Sequence, residues 1–174
     1  MGTLKVKALE KAHDVASFNC DVPVLNNWLK TVAKQHQKNG SSKTFVLIDD
    51  AEPLKIIGFV SMSMRAPTVV DDLPAAMQKK LPNAVSGYTL GRLAVSVEHK
   101  GKGHGETLLM TAMQKAKQAS KYAAGFGLFV DAKEGVASFY EKYGFVAFPD
   151  DPDTLVYPIA EMPDFPNEEE EEEE

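Results

Sequence analysis

The chain has 174 residues, of which 44% are hydrophobic and 25% are charged, a balance that excludes disorder of the whole chain. The formal net charge is −6, but the terminal run Glu168–Glu174 supplies seven of the acidic residues, so the remainder is close to neutral. The single cysteine, Cys20, excludes an internal disulfide framework and a cysteine-rich metal site. We therefore expect one domain over residues 1–162 and a disordered acidic tail over residues 163–174.

The N-terminal half of the chain contains predicted strands and one long helix. Leu4–Leu9 alternates apolar residues with lysine, which is typical of a half-buried strand. Apolar residues at helical spacing predict a helix from Pro23 to about Lys38, closed by Asn39-Gly40. The other elements expected in this half are two strands and a short helix, at Thr44–Ile48, Ile56–Met64 and Leu73–Leu81.

The C-terminal half of the chain predicts a strand, a long helix, a strand, a short helix and a final pair of strands. These elements are Tyr88–Val97, Gly103–Lys121, Phe126–Val130, Glu134–Tyr143, Phe145–Phe148 and Thr154–Ile159. The mixed order predicts a single α/β (α+β) domain, with a twisted mixed sheet flanked by helices. No apolar run approaches the ~20 residues that span a membrane, and no hydrophobic signal segment begins the chain, so we expect a cytoplasmic protein that does not contact a membrane.

The most informative segment is Lys100-Gly101-Lys102-Gly103-His104-Gly105, between a predicted strand and a long helix. Alternate glycines let the backbone approach a ligand closely, and the start of a helix favours a phosphate. The segment lacks the Gly-Lys-Ser/Thr ending of a P-loop. The dinucleotide fingerprint needs its third glycine one place later, at Glu106.

This loop resembles the pyrophosphate loop of the GNAT N-acetyltransferases, which use acetyl-coenzyme A. The family motif has Arg or Gln, two residues, Gly, any residue, and Gly or Ala; Lys100, Gly103 and Gly105 take these positions. Gly91–Val95 before the loop and Ser138–Phe145 after it are also similar to the family.

The chain is more specifically similar to the toxin branch of that family, found in type II toxin–antitoxin pairs. The similarity rests on Phe18–Leu29, Ser41–Val46, Leu90–Val95 and Phe139-Tyr140, and it covers roughly residues 15 to 160. It implies transfer of acetyl from acetyl-coenzyme A to the α-amino group of an aminoacyl-tRNA, which inhibits translation. It also implies a ribbon-helix-helix antitoxin as partner and is compatible with a homodimer.

The resemblance implies a role for two backbone segments in binding the co-substrate. A strand that splays from its neighbour would offer the backbone groups of Leu93, Ala94 and Val95 to the pantetheine arm. We expect His104 to be a loop residue whose side chain points outward. The pyrophosphate would be held by the loop residues Lys100, Gly101, Lys102, Gly103, His104, Gly105 and Glu106.

Tyr140 is the candidate catalytic residue. When an amine attacks the thioester, a phenol at this position of the family motif can protonate the departing sulfur. No general base is assigned, because an α-amino group with a pKa near ~8 loses its proton readily. The candidate contacts to the acceptor are Arg92, Lys34 and Lys38. The alternative role of Arg92 is a structural ion pair, and the alternative for the two lysines is a position on a solvated face.

Two other functions remain open at the level of sequence. An enzyme of the same fold can acetylate a small-molecule amine or a protein amine. An inactive module can bind the co-substrate and regulate a partner. His99 and His104 are five residues apart with no accompanying pair of carboxylates, so we expect no metal.

Overall fold

A seven-stranded mixed sheet forms the centre of the fold in a computed structural model, which describes residues 2–165. Its strands lie in the order β1-β2-β3-β6-β7-β9-β8, and a separate ribbon consists of β4 and β5. The strand bounds are β1 Leu4–Ala8, β2 Lys43–Asp49, β3 Gly58–Met64, β4 Thr68–Val69, β5 Ala84–Val85, β6 Tyr88–Val95, β7 Gly127–Asp131, β8 Val146–Phe148 and β9 Asp151–Pro158.

Four α-helices of the described residues flank this sheet: α1 Pro23–Thr31, α2 Ala33–Asn39, α3 His104–Ala119 and α4 Ala137–Lys142. Leu108, Leu109 and Met113 of α3 pack on one face of the sheet, together with Tyr140 of α4. The apolar stripe of α3 recurs at helical spacing, which is why this helix buries one side. None of the described helices is long and apolar enough to cross a membrane.

The opposite face of the sheet carries two smaller clusters. Trp28, Leu29 and Ala33 of α1 and α2 cover β2 and β3 and contact Phe59 and its neighbours. The segment around β4 and β5 covers the other end of this face, where Val70 and Leu73 pack with Phe129 of β7. The fold class predicted from the sequence is therefore the fold observed.

The predicted helix over Pro23–Lys38 is two helices. Val32 separates them with φ −120° and ψ −40°, outside the helical region, although its N–H still donates to the Trp28 carbonyl at 2.9 Å. A β-branched residue is a weak helix former, and the bend keeps Trp28, Leu29 and Ala33 against the sheet. Gly40 ends α2 in the left-handed conformation, as predicted.

The predicted helix over Leu73–Leu81 is wrong. The segment contains one short turn of 3-10 helix, Ala75–Met77, and another, Val70–Asp72, directly precedes it. Pro74 explains the difference, because a proline disfavours helical backbone at the preceding residue, and Leu73 is extended with ψ 159°.

The C-terminal part of the described chain packs onto α3. Lys117 donates from Nζ to the carbonyls of Met162 and Pro163, at 2.9 and 3.1 Å, and to Asp164 at 3.0 Å. Phe165 packs against the cluster on the α3 face. Contact with the domain thus continues past residue 162, and the acidic run lies outside the described residues.

Candidate active site

The sheet opens between its two parallel strands, β6 and β7. They pair over three positions only, from Tyr88↔Leu128 to Leu90↔Val130, although β6 continues to Val95. A β-bulge between β3 and β6 lies at the same level, where Gly91 has no partner between Leu90 and Arg92. Because a bulge bends its strand, the second half of β6 diverges from β7 and leaves a cleft, as the resemblance implied.

The backbone of β6 presents alternate residues to this cleft. Ser96 donates its N–H to the Ile57 carbonyl at 2.8 Å, on the β3 side. Successive residues of a strand point their N–H and C=O groups to opposite edges. Leu93 and Val95 therefore direct theirs toward the cleft, whereas Ala94 directs its groups toward Phe59 of β3. Of the three residues predicted to bind pantetheine through their backbone, Ala94 is directed away from the cleft.

The glycine loop ends directly at the first turn of α3. Gly101 and Gly103 have φ of 77° and 81°, a region that favours glycine. Gly103 precedes α3 without a side-chain hydrogen bond that would cap the helix, so the first amides of the helix remain available to an anion. Lys102 is exposed beside them.

Lys100 lies at the position where the family has Arg or Gln. Its ammonium group donates to the carbonyl of Cys20 at 3.1 Å. The side chain thus connects the loop to the segment that leads into α1. The sequence provided no signal for this contact, because the two residues are 80 positions apart.

His104 differs from the sequence-based expectation. It is the first residue of α3 rather than a loop residue, it is half-buried, and its ring centroid lies 6.3 Å from that of His99. Burial, followed by the charges of His99 and Lys102, lowers the pKa of His104. Within residues 2–165 there is no group of three or more His, Cys, Asp or Glu side chains arranged to hold a metal ion.

Three of the predicted segments meet at Gly105. A Cβ atom placed on Gly105 would lie 3.7 Å from Cζ of Phe139 and 4.0 Å from Cδ2 of Leu93. Phe139 in turn contacts Tyr140, with ring centroids 5.1 Å apart. The structure therefore brings together the glycine loop, the splayed strand and the helix that carries the candidate catalytic residue. The role of Phe139 in joining these segments is not visible in the sequence.

Tyr140 is buried, with 6% of its surface exposed. Its ring also packs edge-on against Phe145, at a centroid distance of 5.7 Å. Burial raises the pKa of the Tyr140 phenol to about 12, so the hydroxyl keeps its proton at neutral pH. Tyr140 Oη makes no hydrogen bond within the part of the chain that the structure describes. Its proton is therefore not committed to another residue of that part.

The candidate acceptor residues occupy the α1 and α2 side of the sheet. The Arg92 guanidinium stacks on Trp28, with Cζ 4.2 Å from the ring centroid. Lys34 donates from Nζ to the carbonyls of Lys11 and His13, at 2.7 and 2.8 Å, so its ammonium group has structural partners. Lys38 is exposed in the last turn of α2.

Comparison with known proteins identifies the family. The acetyltransferase (GNAT) domain family matches residues 40–147, which span the glycine loop, β6 and Tyr140. The chain therefore belongs to the GNAT acetyltransferases. This result confirms the enzyme class and the fold that the loop and the element order predicted.

The similar proteins include toxins. A tRNA-acetylating toxin of Mycobacterium tuberculosis (strain ATCC 25618 / H37Rv) is 29% identical over 147 residues, which are 84% of this chain and 86% of the relative. The structure of AtaT complexed with acetyl-methionyl-tRNAfMet has a TM-score of 0.84 and 27% identity, and the match covers 91% of this chain and 96% of AtaT. A Tyr-to-Phe variant of AtaT, bound to the C-terminus of the antitoxin AtaR and to acetyl-CoA, has a TM-score of 0.75 and 24% identity over 90% of this chain and 94% of that one.

Proposed function

We propose that this protein transfers the acetyl group of acetyl-coenzyme A to the α-amino group of an aminoacyl-tRNA, and that it acts as the toxin of a type II toxin–antitoxin pair. The observation that carries the proposal is the convergence of the glycine loop, the splayed strand and Phe139, the neighbour of Tyr140, at Gly105. The fold of the chain matches AtaT over nearly its whole length.

The residues around the cleft fit the co-substrate. The pyrophosphate requires N–H donors and positive charge, which the uncapped start of α3 and Lys102 offer. A pantetheine arm carries amides, which require backbone partners in an extended arrangement. Leu93 and Val95 offer these on the open edge of β6.

The chemistry assigned to the chain's own residues is a proton transfer. When bound, acetyl-CoA supplies a thioester carbonyl for the amine to attack, so that a C–N bond forms and the C–S bond breaks. Tyr140, whose phenol is neutral at physiological pH, donates its proton to the departing sulfur and regains one from solvent. The amine loses its proton to water, so no side chain is needed as a strong base.

The acceptor side of the protein favours a polyanion. From residue 22 to residue 48 the chain contains no Asp or Glu but four lysines: Lys30, Lys34, Lys38 and Lys43. Lys30 and Lys38 are exposed on α1 and α2. Exposed positive charge of this kind attracts a phosphate backbone. An aminoacyl-tRNA combines such a backbone with a primary amine.

The partners and the compartment follow from the same function. AtaT binds the C-terminus of an antitoxin, and we infer an antitoxin of the ribbon-helix-helix type for this protein. We also infer that it forms a homodimer and acts in the cytoplasm, where charged tRNA is found.

The decisive experiment expresses the chain without a partner while growth and tRNA acetylation are followed together. We expect growth arrest with acetylated aminoacyl-tRNA, and neither effect from Tyr140→Phe at equal abundance. Arrest without acetylated tRNA, or acetylation of free amines or proteins alone, would contradict the proposal and favour another acceptor. Retained acetyl-CoA binding without turnover on any amine would instead indicate a regulatory module.

A further inference from the structure

The Arg92 side chain lies on the face of the sheet opposite α3. It stacks on Trp28, which is itself 7% exposed, at 4.2 Å from Cζ to the ring centroid. Arg92 is half-buried, and burial lowers the pKa of its guanidinium. An arginine nevertheless remains protonated in proteins, so this site holds a positive charge that is partly removed from water.

The guanidinium has no counter-charge in the described structure. No carboxylate of residues 2–165 forms an ion pair with Arg92, and none of its five N–H donors makes a hydrogen bond to those residues. A partly desolvated cation without a partner costs free energy. The stack on Trp28 compensates for part of this cost and fixes the plane of the guanidinium.

The position of Arg92 places it beside the reaction cleft. It directly follows Gly91, the bulged residue at which β6 leaves β7. Side chains alternate along a strand. Arg92, which stacks on Trp28, and Ala94 face α1, whereas Leu93 and Val95 pack in the cluster on the α3 face. The co-substrate residues and Arg92 therefore approach the same point of β6 from opposite faces.

We propose that the Arg92–Trp28 pair is a phosphate subsite, which binds the phosphodiester next to the 3′-terminal nucleoside of the aminoacylated acceptor. The flat guanidinium presents a fork of donors that matches two phosphate oxygens. Trp28 fixes the orientation of that fork. Residues 22–48, which include α1 and α2, contain no Asp or Glu that would compete for it. The inference rests on the proposed function, because it identifies how the acceptor of that reaction is positioned.

A test separates phosphate binding from a packing role. The acceptors are an aminoacyl-adenosine, which has no phosphodiester, and the same aminoacyl group on cytidylyl-adenosine, which has one. The amino acid is the one that the parent protein acetylates on bulk charged tRNA. For Arg92→Met we expect KM for the dinucleotide to rise by roughly ten- to a hundredfold, with kcat little changed and KM for the aminoacyl-adenosine unchanged. An equal change on both acceptors would overturn the proposal.

Two further variants control this comparison. Arg92→Lys keeps the charge but loses the fork, so we expect an intermediate rise in KM for the dinucleotide only; it also serves if the methionine variant does not fold. Lys7→Met removes an exposed positive charge on β1 and should leave both KM values at the parental level.

A readout independent of turnover uses the single tryptophan of the chain, Trp28. Uncharged CpCpA should change the Trp28 fluorescence of the parent and of Lys7→Met at similar concentrations, but not that of Arg92→Met. Absence of any change in the parent would overturn the subsite. If CpCpA binds in an Arg92-dependent manner while no aminoacyl acceptor is acetylated, the subsite stands and the proposed function fails.

Discussion

Tyr140 combines a buried ring with a hydroxyl that has no protein partner among the described residues. The neighbouring rings of Phe139 and Phe145 enclose it. Removal of water around the phenol disfavours the phenolate, which is the reason for its raised pKa. The same burial that makes Tyr140 part of the core therefore keeps its phenol neutral to a higher pH than an exposed tyrosine.

Tyr140→Phe removes that proton and keeps the ring. If the phenol protonates the departing thiolate, kcat should fall by roughly 10²–10⁴-fold, with little change in the dissociation constant of acetyl-CoA. Steady-state kinetics and calorimetry on the purified protein measure the two quantities. A folded Tyr140→Phe protein with the parental kcat would return Tyr140 to a packing role.

The raised pKa of Tyr140 also predicts the response of the protein to alkali. An unfolded tyrosine loses its proton near pH ~10, whereas folded Tyr140 keeps it until about 12. The stabilisation from the buried phenol is thus present below pH ~10 and is lost as the pH rises toward about 12. Near pH ~11 the free energy of unfolding should have fallen by about 1 kcal/mol for this reason.

The measurement is chemical denaturation at a series of alkaline pH values. Tyr140→Phe cannot ionise at this position, so its free energy of unfolding should decline less steeply than that of the parent above pH ~10. Parallel declines in the two proteins would mean that the phenol is not desolvated in solution.

The glycine loop is the element on which co-substrate binding depends most. Gly103 has a φ of 81°, and no atom lies within 4 Å of the position that a Cβ would take, so Gly103→Val strains the backbone rather than creating a clash. The loop should change conformation and turn its amides away from the pyrophosphate. We expect acetyl-CoA affinity to fall about tenfold or more, as measured by calorimetry.

Gly40 provides a matched control for this loop variant. It has a φ of 80°, again with open space around a Cβ, but it lies at the end of α2. Gly40→Val should lower the melting temperature to a similar extent and leave acetyl-CoA affinity unchanged. Equal losses of affinity in the two variants would exclude a specific role for the loop.

The α1–α2 layer supplies the next prediction. The charge reversals Lys30→Glu and Lys38→Glu together should lower kcat/KM on charged tRNA by about tenfold or more and leave acetyl-CoA affinity unchanged. They should also reduce the salt slope of tRNA binding by about two. Lys34 is a poor choice for this test, because its ammonium group holds the carbonyls of Lys11 and His13. If Lys7→Glu caused the same loss of activity, the effect would come from the net charge of the protein and not from the α1–α2 surface.

The elements that depend on local signals were predictable, and those that depend on distant contacts were not. Periodicity and the glycines that precede α3 located this helix and the seven strands of the main sheet within a few residues, whereas β4 and β5 were not predicted. The bulge at Gly91 and the stack of Arg92 on Trp28 arise from contacts between strands and across layers, for which one sequence contains no signal. The break at Val32 is likewise visible only once α1 and α2 lie on the sheet.

At the scale of the whole molecule, the charge is divided between a nearly neutral body and the run Glu168–Glu174. Removal of these seven residues changes the formal net charge from −6 to +1. The truncated protein should bind charged tRNA several-fold more tightly at low salt, because less negative charge repels the polyanion. Filter binding at low and high salt measures this difference, which should disappear as salt is added. An equal affinity of both proteins at low salt would show that the run does not influence the RNA.

The short pairing of β6 with β7 also makes amide hydrogen exchange a measure of ligand binding in the cleft. The amides of Leu93 and Val95 face the open edge of β6 and have no strand partner there. They should therefore exchange with deuterium much faster than the amide of Ala94 in the same strand. A ligand that enters the cleft and accepts their hydrogen bonds slows exchange at these two amides alone. Exchange mass spectrometry of the 88–95 segment thus reports binding in the cleft for any ligand or variant, without a chemical probe and without turnover.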